Sequence, residues 1–201
     1  MRLTHAVLVL ADISGYTDFI TNREVSLLHA EQIITDLLES MIDRTEHPLI
    51  LNKLEGDAAF LYAETGDDRT TAVRDVLTQV RMLFSAFEER LEKIRVERSH
   101  CGCDACANVS RLKLKAFAHC GEIAVKQVRQ FEELAGEDVI LVHRLMKNHL
   151  DEREYVLLSE AITGAWPPTT NYGRRHRESF EGMGELALTV LSPADLVKLT
   201  A

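Results

Sequence analysis

Residues Ala6-Val-Leu-Val-Leu-Ala11 form an unbroken apolar run that passes through Asp12 and Ile13 into Ser14-Gly15. A run of this length without polar alternation reads as a strand buried on both faces, which places it inside a sheet. The stretches after it supply its neighbours. In residues 26–42, Leu27, Ala30, Ile34, Leu37, Leu38 and Met41 recur at helical steps, and Pro48 closes that region. Residues 49–54 and 58–63 read as two strands around the tight break Glu55-Gly56-Asp57. The longest helix is expected over residues 71–98, where Val73, Val76, Leu77, Val80, Leu83, Phe84, Phe87, Leu91 and Ile94 keep the period. A cysteine-rich loop, residues 99–108, follows. Residues 112–119 alternate as a half-exposed strand that Gly121 turns, residues 138–147 read as a helix, and 155–158 and 186–191 as late strands. This order predicts an α+β fold with a mixed sheet and helices on one face. At 201 residues the chain fits a single domain, with its core over about residues 5–192.

Charge narrows the function classes. The formal net charge of −9 argues against nucleic acid as a partner, because counterion displacement needs a basic face. An acidic protein still binds a nucleotide when a divalent cation bridges carboxylate to phosphate. No segment approaches the roughly 20 apolar residues of a membrane span, and residues 6–11 are too short for a secretory signal. A cytoplasmic location is therefore expected, with the four cysteines as reduced thiols or metal ligands.

Two acidic motifs draw attention. In Asp12-Ile13-Ser14-Gly15-Tyr16-Thr17 a carboxylate ends a buried strand beside a bend whose amides suit phosphate oxygens; the alternative is an aspartate that caps the turn. In Lys53-Leu54-Glu55-Gly56-Asp57 a hairpin tip carries a second carboxylate, or is a Gly-Asp turn without a ligand. If the two strands are neighbours, the paired carboxylates repel unless a cation lies between them.

Taken together the motifs resemble the class III adenylate/guanylate cyclase domain. Later pieces fall in the same order: Ala118-His119-Cys120-Gly121-Glu122, then Glu133-Leu134-Ala135-Gly136-Glu137-Asp138-Val139 with Arg144, then Phe180-Glu181-Gly182-Met183-Gly184-Glu185-Leu186 as a terminal hairpin. The chain looks most similar to a bacterial branch of unknown function with a Cys-x-Cys-x-x-Cys loop. The resemblance implies a ferredoxin-like cyclase fold and a head-to-tail homodimer, with the site shared between subunits. It implies Mg2+ or Mn2+ on Asp12, Ile13 and Asp57, and a purine nucleoside triphosphate contacted by Ile13, Gly15, Tyr16 and Thr17. Lys53 and Glu133 would read the base, favouring ATP, and Arg144 would stabilise the transition state of conversion to cyclic AMP and pyrophosphate.

Two departures weaken that activity. Ile140 stands where the family has the asparagine that orients the ribose, and an aliphatic side chain donates no hydrogen bond. Neither Glu181 nor Met183 replaces the lysine that grips the terminal phosphates. Each lost donor typically costs about 10²–10³ in rate. Arg174, Arg175 and Arg177 are candidates for a substitute cation; the bland reading of that cluster is a solvated loop. A competing function is a non-catalytic ligand-sensing dimer.

His100-Cys101-Gly-Cys103-Asp-Ala-Cys106 gathers three thiols and an imidazole. Tetrahedral Zn2+ takes four N/S ligands, and Cys120, His100 or His119 would complete the set; a surface loop of reduced thiols is the alternative, and redox sensing a third. His29, His47 and His149 read as surface residues, and Trp166 beside Pro167-Pro168 as a loop anchor.

Overall fold

The computed structural model describes residues 1–21, 26–165 and 172–200; the loop reading of Trp166 lies outside these. Strand β1 (Arg2–Ser14) carries the apolar run, and its pleat sends alternate residues into two separate cores. Val7, Val9 and Ala11 enter one cluster. Ala6, Leu8 and Leu10 enter the other. All six are fully buried.

Around β1 the sheet assembles β2 (Ile50–Glu55), β3 (Ala58–Glu64), β4 (Lys113–Val128), β5 (Phe131–Ala135), β6 (Tyr155–Ser159), β7 (Arg174–Phe180) and β8 (Gly184–Leu191). Their order is β2-β3-β1-β4-β6-β8-β7, with β5 paired to the far end of β4. Only β4 and β6 run parallel among the pairs of the described residues. The sheet is mixed and mostly antiparallel, as expected.

One face is covered by α2 (Leu27–Asp43), whose stripe Ala30, Ile33, Ile34, Leu37, Leu38 and Met41 is buried, and by α3 (Arg69–Glu97). Asp68 caps α3 by accepting the Thr71 amide at 3.0 Å. Short helices α1 (Tyr16–Thr21), α4 (Asp104–Asn108), α6 (Glu160–Thr163) and α7 (Pro193–Leu199) complete the chain. The expectation of helices on one face is corrected by α5 (Glu137–Leu145). Its Val142 and Leu145 pack with Leu8, Leu10 and Phe60 in the opposite cluster. A strand as apolar as β1 requires that second cover, since its Leu8 and Leu10 would otherwise face water.

Two further readings are corrected. Gly121 does not turn the strand: β4 continues through it, pairing Gly121 with Ala6. Its lack of a side chain serves a close approach, because a Cβ there would lie 2.0 Å from the Asp138 carboxyl carbon. The Arg174–Arg177 cluster is no solvated loop but the edge strand β7, with Arg174 paired to Glu152 and Arg177 to Glu185. Charged side chains on an edge of this kind discourage further strand pairing.

Candidate functional site

β1 and β3 are antiparallel neighbours, and their register sets Asp12 opposite Ala58. The β2–β3 turn thereby brings Asp57 beside the end of β1, where the Ile13 amide donates to the Asp57 carbonyl at 3.2 Å. Both carboxylates line one open cleft of about 520 Å³ together with Ile13, Ser14, Gly15, Tyr16 and Thr17. That volume lies in the range of small-molecule sites. Burial, then the charge of Asp12, pushes the Asp57 carboxyl up to about 6. Burial likewise raises Asp12, opposed by the ammonium groups of Lys115 and Lys147.

Two cations in this cleft were not foreseen as site residues. Lys115 lies opposite Asp12 in the β1–β4 register and reaches the cleft, its ammonium 5.3 Å from the Tyr155 ring centroid. Arg153 also lines the cleft and crowds Gly15, where a Cβ would meet its Nη2 at 2.4 Å. Gly15 has φ +94°, so the bend itself favours glycine. Arg174, Arg175 and Arg177 do not line this cleft. Lys115 and Arg153 are the cations that line the carboxylate cleft, and no residue of the 181–183 turn does.

The remaining predicted residues gather elsewhere. Lys53 on β2 donates to Glu133 on β5 at 3.2 Å and lies 3.7 Å from Glu55. Glu55 also receives His143 of α5, Nε2 to Oε2, at 3.0 Å, and His143 sits edge-on to Phe60. Arg144 follows on α5 and is exposed, as is Ile140 one turn earlier. None of these residues lines the carboxylate cleft. One chain thus carries two separate groups: Asp12, Asp57, Lys115 and Arg153 in the cleft, Lys53, Glu133 and Arg144 apart from it.

α5 is held by a chain of hydrogen bonds that runs from the buried His119 ring out to the surface at Glu122. His119 lies 2.7 Å from Ser159 through Nδ1 and 2.7 Å from Asp138 through Nε2. The second Asp138 oxygen accepts the Glu122 amide at 2.7 Å. A carboxylate only accepts, so Nε2 carries the imidazole proton and Nδ1 accepts from the serine.

The sulfur-rich loop forms a group that could hold a metal ion, but its members differ from the expected set. They are Cys101, Cys103, Cys106 and His29, with ligand atoms all within 4.8 Å of one another. His29, read from the sequence as a surface residue, enters from the first turn of α2. Cys120 and His119 are not members of the group; they lie buried within β4, seven and six residues beyond its start. His100 is exposed and outside the group. The four cysteines are free thiols.

Comparison with known proteins fits this geometry. The model of a family described as "Protein of unknown function (DUF2652)" matches residues 34–155. The protein "Uncharacterized protein Rv2561/Rv2562" of Mycobacterium tuberculosis (strain ATCC 25618 / H37Rv) is 36% identical over 153 residues, which is 76% of this chain and 69% of that protein. Among solved structures, the adenylyl cyclase CyaB from P. aeruginosa superposes with a TM-score of 0.70 at 11% identity, covering 95% of each chain. A bacterial light-regulated adenylyl cyclase gives a TM-score of 0.68 at 11% identity over 99% of this chain, which spans 56% of that one. A class III adenylyl cyclase-like ATP-binding protein from Pseudomonas aeruginosa gives 0.70 at 14% identity over 99% of this chain and 41% of that one. The resemblance to class III cyclases is borne out as a fold, and the family match extends over more than half of the sequence. This chain belongs to the DUF2652 family of proteins of unknown function, and it has the fold of the class III nucleotide cyclases.

Proposed function

We propose that this chain is a cyclase homologue that binds a purine nucleoside triphosphate, ATP in preference to GTP, through a divalent cation. Its activity in making cyclic AMP is weak or lost. The observation that carries this reading is the convergence of Asp12 and Asp57 on one cleft, with Asp57 pushed up by its neighbour's charge. Two partly buried carboxylates, one of them raised by the charge of the other, fit a hard divalent ion, Mg2+ or Mn2+, which would be held by Asp12, Asp57 and the Ile13 carbonyl. Such an ion supplies neutralisation of phosphate charge and activation of the ribose hydroxyl. Lys115 and Arg153 are placed to pair with phosphate oxygens, and the Ser14–Thr17 bend to offer its amides.

The separation of Lys53, Glu133 and Arg144 from the cleft supports a head-to-tail homodimer. In that arrangement each cleft receives the base-reading pair and Arg144 from the second copy. The Lys53–Glu133 pair offers one donor and one acceptor, the pattern of the adenine edge. Ile140, Glu181 and Met183 supply no replacement for the ribose and phosphate donors, and this favours sensing over turnover. A non-catalytic dimer that reports nucleotide occupancy is therefore the second reading. It is in keeping with a likeness to a protein described as cyclase-like and ATP-binding. No helix of the described residues is long and apolar enough to cross a membrane, and we place the domain in the cytoplasm.

The test is nucleotide binding by calorimetry with Mn2+, beside an assay for cyclic product. ATP should bind only with the metal, and Asp57→Ala should weaken it at least about tenfold, equivalent to about 1.4 kcal/mol. Cyclic product that vanishes in the variant assigns turnover; metal-dependent binding without product assigns sensing. ATP that binds equally well in chelator and in the variant would refute both.

A further inference from the structure

Three sulfurs in this protein surround a single imidazole nitrogen. His29 Nδ1 lies 3.4 Å from Cys103 Sγ, 3.5 Å from Cys101 Sγ and 3.8 Å from Cys106 Sγ. Cys101 and Cys103 are 3.5 Å apart, sulfur to sulfur. Hydrogen bonding does not account for this convergence. One ring nitrogen has one proton or one lone pair in the plane, so it satisfies one sulfur and leaves two unexplained. Disulfide chemistry does not account for it either, because bonded sulfurs approach to about 2.05 Å.

A tetrahedral ion accounts for all four of these distances. With Zn–S about 2.3 Å and Zn–N about 2.0–2.1 Å, the tetrahedral edges come to about 3.5 Å from nitrogen to sulfur and about 3.8 Å between sulfurs. The observed edges lie close to these values. The donors are soft thiolates plus one imidazole, the set that selects zinc over the hard oxygen-bound ions. Four protein ligands close the coordination shell, as in sites that hold a fold together.

We propose that His29, Cys101, Cys103 and Cys106 bind one zinc ion, which clamps the first turn of α2 to the loop between α3 and β4. The ligands come from segments more than 70 residues apart in sequence. What they fasten is otherwise weakly built. α4 has only five residues, too few to hold a helix alone, and Cys103 at its N-cap makes no side-chain cap bond. Asp104 and Asn108 of α4 line a small pocket with Gly15, Asp18 and Arg153. The clamp therefore sets one wall beside the Gly15 bend, while its own ligands take no part in the carboxylate cleft. Its test does not depend on nucleotide binding or turnover.

The measurement is elemental analysis of the untagged chain, purified under reducing conditions without chelator. About one zinc per chain is expected, with near-complete loss in Cys103→Ser and in His29→Ala and full retention in Cys120→Ser. Replacement by Co2+ in the wild-type chain should give intense visible d–d bands and a sulfur-to-cobalt charge-transfer band, which identify a tetrahedral thiolate site even if a variant fails to fold. A chelator should lower the melting temperature of the wild type and leave that of Cys103→Ser unchanged. Wild-type protein with less than about a tenth of an equivalent of zinc and three freely reactive thiols would overturn the assignment. So would iron in place of zinc, a weak octahedral cobalt spectrum, or full zinc retention in His29→Ala.

Discussion

Asp138→Ala should destabilise the protein by roughly 2 kcal/mol, read as a lower denaturant midpoint at unchanged slope. Asp138 accepts from the buried His119 ring and from the Glu122 amide. Alanine leaves the buried His119 donor without a partner, at about 1–3 kcal/mol, whereas the exposed Glu122 amide can turn to water. Gly121→Ala should be comparably harmful for the opposite reason, since its Cβ would strike the same carboxylate at 2.0–2.5 Å. The double variant should then cost less than the sum of the two, because the methyl enters space the carboxylate has vacated. Strict additivity would mean that the glycine and the aspartate do not share this volume. The pH dependence adds a second readout. Burial lowers the His119 imidazole while Asp138 works to raise it. With the folded value below the unfolded value of about 6.5, the unfolded chain binds a proton that the native ring refuses, so stability falls as pH drops through that value. Removing Asp138 deletes the opposing attraction, and the acid-side loss should steepen.

Where the chain is apolar and periodic, its structure can be read directly. The run in β1, the stripe in α2 and the long period of α3 each bury one continuous surface, and their positions follow from that alone. β7 escaped because Arg174-Arg-His-Arg is an unbroken basic run along an edge, where local polarity looks the same as in a loop. Gly121 escaped because a glycine that turns a chain and one that admits a neighbour are identical in sequence; Asp138, 17 residues later, decides between them. The same holds for the candidate sites. Asp12 and Asp57 stand in recognisable motifs, whereas Lys115 sits on the polar side of an alternating strand and reads as a solvent-facing lysine. Only the register that pairs it with Asp12 turns it toward the cleft. His29 is 72 residues from Cys101, so a search by ligand spacing within the loop could not reach it. In each miss the deciding contact was long-range.

Mn2+ affinity at the carboxylate cleft should rise about a hundredfold between pH 4 and pH 6 and level off above about pH 7. Asp57 is raised to about 6 by burial and by Asp12, so over most of that interval the ion must displace a proton, at about tenfold per pH unit for one proton released. The same shift dictates how the metal-free protein responds. Between the ordinary aspartate value near 3.9 and about 6, the native carboxyl holds a proton that the unfolded one has lost. Stability therefore falls as pH climbs through this window, and the deficit persists at neutral pH, where both carboxylates are charged. Asp57→Asn carries no charge to bury. It should raise the melting temperature of the metal-free protein at pH 7.5 by a few degrees, the gain limited because the half-exposed carboxylate is partly screened by water. It should gain nothing at pH 4, and it should abolish the pH-dependent rise in Mn2+ binding. A stabilising substitution that destroys ligand binding is the mark of a residue kept for its site and not for its fold. If Asp57→Asn instead lowers the melting temperature at pH 7.5, the two carboxylates do not repel across this cleft, and the cation has no reason to sit there.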